Sequence, residues 1–306
     1  MLTEIYYEVD EFIKCESKTI LFLLKHFGFY RKLHTCSLNL SEVMTVLIYY
    51  HLSDYRHFKA FYTKGIQGVF KSDFPTAPSY NRFVEMIPRA LIPLCAFTAY
   101  RCTQAKKTGV LFIDSTALPV CFITRAHCHK VFKGFAAKGK TSTGWFFGLK
   151  LHIIVNNTGE LVNFLITPGN VADNNTDLLF KMTKNIFGTF YGDAGYLMNS
   201  DKRLLLELER LRVFIVKPRK KAKNKEEPML YKDALWLKKR PLIESVFDIQ
   251  KEHLDLSVYR QRSPVNGLVT VYATLAAYTF YPDKPSASII PIRELNQPKV
   301  CEMLAA

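Results

Sequence analysis

A series of short β-type segments beginning at Val110 is the feature that most constrains the fold of this chain. Val110–Ile113, Trp145–Val155 and Leu161–Thr167 resemble strands, and the last two are joined by Asn156–Gly159, a good hairpin connection. The remaining predicted elements are a helix over 174–186, a strand over Thr189–Gly192, a helix over Ser200–Leu211, a strand over Val213–Val216 and a helix over Pro241–His253. Hairpin-connected strands followed by strand–helix crossovers predict an α/β fold with a mixed five-stranded sheet and helices on its faces.

The first hundred residues carry helical patterns instead. Asn39 or Ser41 can cap a helix that runs to His51, and Ser79 can cap another that runs towards Cys102. The order of strands and helices from Val110 onward is the one found in ribonuclease-H-like folds, and here an all-α region precedes it. The predicted parts are the helical region 1–105, the sheet domain 106–285 and a C-terminal tail 286–306.

A strong positive charge is the main compositional signal. The 306 residues carry a formal net charge of +15, which attracts polyanions and makes such binding sensitive to salt. Seven Lys or Arg and no acid lie between Arg212 and Lys225, and Lys217, Arg219, Lys220 and Lys221 are the candidates for nucleic-acid contacts within this segment. A basic protein without a nucleic-acid role is the alternative that charge alone leaves open.

Nothing in the composition indicates a membrane or secreted protein. The longest apolar run, Ala90–Tyr100, is interrupted by Pro93 and is much shorter than the roughly 20 residues that span a bilayer. The N-terminus begins with acidic residues, unlike a secretory signal. The seven cysteines are scattered and odd in number, which favours reduced thiols in the cytoplasm.

Three acidic residues are the candidates for catalysis. Asp114 is predicted to follow the first strand, Asp193 to follow the fourth, and Glu244 to lie at the edge of the apolar face of the last helix. If the first and fourth strands are adjacent and parallel, the two aspartates lie side by side. Clustered carboxylates repel one another unless cations join them, and two divalent ions held by oxygen ligands can activate a phosphodiester. For any one aspartate, a turn or cap role is the alternative.

Several motifs resemble those of bacterial insertion-sequence transposases of the DDE class, most closely the insertion sequence 982 family. They are Asp114-Ser-Thr, Gly144-Trp-Phe-Phe-Gly-Leu-Lys-Leu-His152, Thr167-Pro-Gly-Asn-Val171, Gly192-Asp-Ala-Gly-Tyr196, Leu40-Ser-Glu-Val43 and Pro78-Ser-Tyr-Asn-Arg-Phe83. Arg240, Glu244 and Lys251 match an Arg-x3-Glu-x6-Lys signature shared by related transposases, whereas Glu252, the weaker candidate for the third acid, lacks this spacing. The tyrosine that often precedes this arginine by three residues is Leu237 here.

The resemblance implies a ribonuclease-H-like catalytic core in which Asp114, Asp193 and Glu244 hold two Mg²⁺ or Mn²⁺ ions. It implies cut-and-paste transposition of an insertion sequence, with recognition of its terminal inverted repeats. Arg240 and Lys251 would contact DNA phosphates, and region 1–105 would bind DNA. The resemblance also implies a bacterial enzyme of the cytoplasm that associates with the nucleoid when it is bound to DNA. Because two DNA ends are joined, it implies a homodimer as well.

The segment Gly134–Thr141 matches a phosphate-binding-loop pattern, but it lacks the strand before it and the helix after it that this motif requires. A flexible basic loop that touches DNA through Lys138 and Lys140 is the preferred interpretation, and no nucleotide cofactor is expected. His127, Cys128 and His129 do not have the spacing of a zinc site.

His152 is interpreted as a core or supporting histidine, and Asp173 as the cap of the following helix, with a supporting role near the acids as the alternative. Two alternative functions remain open: a nuclease or resolvase that cleaves without joining, and a DNA-binding protein without catalysis.

Overall fold

The computed structural model describes residues 1–29, 38–142, 144–193, 230–259 and 261–289, together with the backbone of 213–216. The first part of the chain is helical, as its sequence predicts. Its elements are α1 Leu2–Cys15, α2 Ser17–His26, α3 Leu40–His51, α4 Phe58–Ala60 with a π-helical continuation Phe61–Val69, α5 Tyr80–Met86, a 3-10 turn Ile87–Ala90 and α6 Leu91–Thr103.

Two of these helices begin at the predicted caps. Asn39 accepts a hydrogen bond from the Glu42 backbone N–H at 2.7 Å, and the Glu42 carboxylate accepts one from the Asn39 backbone N–H at 2.6 Å. This reciprocal pair is a capping box, which satisfies two otherwise unpaired donors at the start of α3. Ser79 caps α5 by accepting from the Arg82 backbone N–H at 3.4 Å.

Residues Tyr80–Thr103 are long and apolar enough to cross a membrane if only length and composition are considered. Phe83, Leu94 and Phe97 of this stretch are fully buried in the helical core. Packing within the protein therefore accounts for its composition, as it commonly does for core helices.

The sheet contains six described strands in a mixed arrangement that is five strands wide. The strands are β1 Val110–Cys121, β2 Ala137–Thr141, β3 Gly144–Asn156, β4 Leu161–Pro168, β5 Gly188–Tyr191 and β6 Val213–Val216. β1 pairs antiparallel with one edge of β3, while β4 and β2 pair with successive stretches of its other edge. β5 is parallel to both β1 and β6, so the antiparallel and parallel pairings predicted for these strands are confirmed.

Two predictions about strands are wrong in detail. β1 continues to Cys121 because its long antiparallel ladder with β3 extends well beyond Ile113. Residues 137–141, expected to be a flexible loop, form strand β2, whose backbone pairs with the start of β3. The predicted helix Ser200–Leu211 lies outside the described residues.

Helices cover both faces of the sheet. α7, Thr176–Thr183, packs Leu179 and Met182 with Ile113 and Ile154 on one face. On the other face α8, Tyr231–Lys238, and α9, Pro241–Asp248 with its π-helical continuation Ile249–His253, bury their apolar residues beside β1 and β3. The helix predicted over Pro241–His253 is thus confirmed.

A long apolar helix, α10, Pro264–Phe280, connects the two halves of the molecule. Its Val269 and Ala273 belong to the core formed with α1, α3 and α6, whereas Val271 and Leu275 belong to the core beneath the sheet. Both sides of this helix are therefore buried, which explains why its sequence is apolar around nearly its whole circumference.

Candidate active site

Asp114 lies inside β1, not after its end. Its side chain is 18% exposed, in the strand that forms the centre of the sheet. Phe112, two residues earlier, packs with Trp236 of α8 and belongs to the core that contains Ile243 of α9. Because side chains alternate along a strand, Asp114 lies on the same face as Phe112, towards α8 and α9.

The strand register relates Asp114 to Asp193. Phe112 of β1 pairs with Tyr191 of β5 in the parallel ladder. Asp114 is two residues past Phe112 and Asp193 is two residues past Tyr191, so the register sets both aspartates at the same level of the sheet. Asp193 is exposed, just beyond the end of β5.

Arg240 links Asp114 to the helix that carries Glu244. Its Nη2 donates to the Asp114 Oδ2 at 3.1 Å, and its Nη1 lies 4.0 Å from the Glu244 Oε1. Leu242, Ile243, Val246 and Phe247 are buried, whereas Glu244 is exposed. The apolar face of α9 therefore fixes the helix on the sheet and leaves Glu244 at the edge of that face, facing Arg240.

Burial and neighbouring charges act in opposite directions on Asp114. Burial raises the pKa of this carboxyl above its ordinary value, whereas the Ser115 backbone N–H, which donates to Oδ1 at 2.8 Å, and Arg240 favour the charged form. The nearby Asp173 raises the pKa further. Asp114 is thus a carboxylate whose charge depends on cations or donors in its surroundings.

Asp173 belongs to a polar cluster beside Asp114. Its Oδ1 accepts from the Ser115 Oγ at 2.9 Å and from the Lys150 Nζ at 3.2 Å, and the His152 Nδ1 lies 3.7 Å away. The interpretation of Asp173 as a helix cap is wrong, because Asn175 caps α7 by accepting from the Leu178 backbone N–H at 3.0 Å.

His152 is fully buried, as a core or supporting histidine should be, and its Nε2 lies 3.0 Å from the Thr167 Oγ1. Burial lowers the pKa of His152 to about 4, so the ring is neutral at pH 7. The cluster around Asp173 could not be found from sequence spacing, because it joins residues of β1, β3 and the segment before α7.

The carboxylates of Asp114, Asp193 and Glu244 suit a hard divalent cation, although they are not already arranged around one position. Among the described residues, no group of three or more His, Cys, Asp or Glu side chains is arranged to hold a metal ion. The Arg240 guanidinium lies between Asp114 and Glu244, where a positive charge offsets their repulsion. Carboxylate oxygens are the ligands that Mg²⁺ prefers, so the residues fit such ions in their chemistry.

The basic residues singled out in the sequence are distributed as follows. Lys138 and Lys140 are exposed on β2. Lys251 is exposed on the π-helical continuation of α9 and borders a surface cleft of about 440 Å³ that is also lined by Ala117 and Pro119 of β1. Lys217, Arg219, Lys220 and Lys221 lie outside the described residues.

The described residues give no support to two other sites that sequence motifs suggested, a phosphate-binding loop at Gly134–Thr141 and a zinc site at His127–His129. Residues 137–141 are a strand, which excludes the helix N-terminus that a phosphate-binding loop would need. Cys121 and Cys128 are free, as are Cys15, Cys95 and Cys102. The described part of the chain thus gives no support to a zinc site at His127–His129.

A mixed sheet with helices on both faces and aspartates at one level of two adjacent parallel strands is compatible with the ribonuclease-H-like class of catalytic domains. A family model described as the transposase DDE domain matches residues 104–264, more than half of the chain. The chain therefore belongs to the DDE transposases, enzymes that act on DNA and generally use divalent metal ions. A search of curated proteins gives no significant match.

Proposed function

We propose that the protein cuts DNA at the terminal inverted repeats of an insertion sequence related to the insertion sequence 982 family and joins the freed ends to target DNA. The observation that carries this proposal is that the elements bearing the three acids meet at β1. The strand register sets Asp114 level with Asp193, and Arg240 connects Asp114 with the helix of Glu244. Membership of the DDE transposases supplies the reaction class.

In this proposal Asp114, Asp193 and Glu244 hold two Mg²⁺ or Mn²⁺ ions. When bound, such ions polarise the phosphodiester and increase the acidity of the attacking hydroxyl. The protein supplies a rigid central strand for Asp114, a cation at Arg240 that neutralises the acids when no DNA is bound, and the exposed ammonium group of Lys251 near the same strand. Lys251 contacts a DNA phosphate, which positions the substrate without reading its sequence.

We propose that other basic residues and the helical region contact the DNA away from the three acids. Lys138 and Lys140 on β2, together with Lys217, Arg219, Lys220 and Lys221, neutralise further phosphates, and the helical region 1–105 contributes to end recognition. Two copies of the chain act together as a homodimer, because two ends must be joined in one reaction. The enzyme works in the bacterial cytoplasm, with the nucleoid as its target.

Metal-dependent nicking of supercoiled plasmid tests the catalytic assignment. Asp114→Asn and Glu244→Gln each remove a ligand charge, and we expect the rate to fall by about three orders of magnitude, since such ions supply several kcal/mol of stabilisation to the transition state. Glu252→Gln is the matched control: Glu252 is also exposed on the helical segment that carries Glu244, and its rate should stay within about twofold of the parent. Undiminished nicking by both Asp114→Asn and Glu244→Gln contradicts the assignment.

Strand transfer distinguishes a transposase from a nuclease that only cleaves. Duplex oligonucleotides that carry the pre-cut 3′ end of the element are incubated with plasmid and Mg²⁺. Covalent joining that requires Asp114 supports transposition, whereas nicking without joining supports the nuclease.

A further inference from the structure

The outward face of the β2–β3 hairpin combines lysines with an exposed indole. Lys140 of β2 pairs directly with Trp145 of β3, and Lys138 pairs with Phe147. Lys138, Lys140 and Trp145 therefore lie on one face of the hairpin, and the Lys140 Nζ is 5.6 Å from the centre of the Trp145 ring. This arrangement presents a flat aromatic surface with ammonium groups beside it.

The opposite face of the hairpin fixes this orientation. Gly139 and Phe146 are buried there, and a Cβ added to Gly139 would collide with the Gly169 carbonyl and the Phe146 ring. A shift of register by one residue would place a lysine in that space, so the pairing is strongly determined. The outward position of Trp145 is consequently a property of the fold and not of a mobile loop.

Trp145 is strongly exposed within the part of the chain that the structure describes. Its side chain is 62% exposed, whereas the second tryptophan of the protein, Trp236, is 5% exposed. Phe122 and Phe135, in the segment that leads from β1 to β2, are also more than half exposed. Tryptophan is enriched at binding surfaces because its ring combines a large apolar face with a polar N–H group, which makes Trp145 and its neighbours a candidate binding surface.

The surrounding charge identifies the kind of partner. No Asp or Glu occurs from Ser115 to Gly159, a stretch that contains Arg125, Lys130, Lys133, Lys138, Lys140 and Lys150. A second copy of the same face would bring like charges together, whereas a polyanion with aromatic groups complements both features. Bases inside a duplex stack on each other, so apart from the terminal pairs their faces are free for an indole only where the strand is unpaired.

We propose that the outward face of the β2–β3 hairpin binds an unpaired DNA strand, with a base stacked on Trp145 and the flanking phosphates neutralised by Lys138 and Lys140. This inference rests on the proposed function, because it assumes that DNA is the substrate. It adds that the enzyme holds a stretch of single strand, such as the strand exposed at a cut or frayed end.

Tryptophan fluorescence gives a direct test, because the chain contains only two tryptophans. In a Trp236→Phe background Trp145 is the only tryptophan, and its emission is excited at a wavelength that the 16 tyrosines do not absorb. Binding is followed in EDTA with a 20-nucleotide oligothymidylate and with a blunt duplex of equal length. We expect the single strand to quench the emission strongly and the duplex to quench it weakly. In the matched Trp145→Phe protein, where the buried Trp236 emits, neither DNA should quench.

Affinity measurements complete the test. Trp145→Ala should weaken binding of the single strand by about 5- to 150-fold, the usual range for the loss of one stacked base, and leave duplex binding nearly unchanged. Trp145→Phe should retain most of the affinity. Replacing both Lys138 and Lys140 by Gln should lower the slope of log affinity against log salt for the single strand by about 1.4, which corresponds to two phosphates.

Three results would overturn the inference: absence of quenching, equal quenching by single strand and duplex, or unchanged single-strand affinity in Trp145→Ala. Self-association that Trp145→Ala abolishes would do the same, because the face would then be a protein interface. These failures leave the proposed function intact if plasmid nicking still requires Asp114. Failure of the proposed function shows itself differently, as nicking that is absent or independent of Asp114.

Discussion

At the scale of single residues, Arg240 is the most informative side chain of the site. Its guanidinium contacts Asp114 and lies close to Glu244, so it occupies the position of a counter-ion between two acids proposed as metal ligands. Its Nε is buried without a hydrogen-bond partner among the described residues, which leaves the group only partly satisfied. If Asp114 holds a metal ion as proposed, Arg240 would compete with that cation for the same carboxylate.

Removing this cation should make the metal-free protein less stable and more responsive to metal. For Arg240→Gln we expect a loss of about 1 to 3 kcal/mol in the free energy of unfolding, typical of a hydrogen-bonded charged group. Addition of Mn²⁺ without DNA should then raise the melting temperature of Arg240→Gln more than that of the parent. Lys239→Gln, at an exposed neighbouring position, is the control, and an equal metal response in all three proteins would contradict the competition.

The Lys150–Asp173 pair provides a second prediction for individual residues. Lys150 is nearly buried and bonds to both Asp173 and the Val171 carbonyl, at 3.2 and 3.0 Å. Lys150→Met leaves Asp173 uncompensated near Asp114 and should cost about 2 kcal/mol of stability, less than a fully buried pair because Asp173 is 33% exposed.

Adding Asp173→Asn to Lys150→Met should recover part of that loss, as measured by urea unfolding of the four proteins of the cycle. Strict additivity of the two single effects would show that the ion pair does not couple these residues.

Sequence motifs predicted the three acids, and the burial pattern of α9 agrees with the position inferred for Glu244. The partner of Asp114 could not be predicted, because Arg240 was interpreted only as a phosphate contact and no sequence signal pairs two residues separated by 126 positions. Asp173 shows the same limit: its spacing before a helix suggested a cap, whereas the tertiary fold directs it towards Ser115.

At the scale of elements, the strands with strong patterns were predictable and β2 was not. Ala137–Thr141 contains two lysines and a glycine, a composition typical of loops. It becomes a strand because β3 begins at Gly144, well before the stretch that β4 covers, and offers unpaired backbone groups there. Edge pairing of this kind depends on the neighbouring strand and not on local propensity.

Gly139 should be essential to this edge strand. In Gly139→Ala the new methyl group meets the Gly169 carbonyl and the Phe146 ring, so we expect a loss of about 1 to 3 kcal/mol, as for overpacking of a tight site. Lys138→Ala, at the adjacent outward position, should change stability by less than about 0.5 kcal/mol. Urea unfolding measures both, and equal stability of the two variants would contradict the close packing of β2 on the loop after β4.

At the scale of the whole molecule, His51 connects separate parts of the chain. Its Nδ1 lies 2.7 Å from the Leu254 carbonyl oxygen after α9 and 3.3 Å from the Thr274 Oγ1 in α10. The ring is fully buried, and burial lowers the pKa of His51 to about 4. Burial therefore favours the neutral imidazole at this contact between α3, α10 and the segment after α9.

Acid should consequently weaken the fold before carboxylates are protonated. An unfolded histidine binds a proton near pH 6.5, so between about pH 6.5 and 4 the unfolded state holds more protons and the free energy of unfolding falls as the pH falls. From pH 7 to pH 5 His51 alone should cost about 2 kcal/mol.

His51→Asn keeps a donor without a titrating ring and should reduce that pH dependence, measured by urea unfolding at each pH, although the buried His152, whose pKa is also lowered to about 4, keeps its own share. The exposed His127→Asn is the control and should keep the slope of the parent. An unchanged slope in His51→Asn would show that the ring does not couple acid to stability.

The two-sided burial of α10 has a consequence for how the protein is made. The helices synthesised first, α1, α3 and α6, share their core with a helix that ends only at Phe280. Neither the helical region nor the sheet can complete its packing on the ribosome until that helix has emerged from the exit tunnel. Truncation before residue 264 should therefore give an insoluble chain in which neither core is complete, and a nascent polypeptide should remain without a finished active site until α10 has been synthesised.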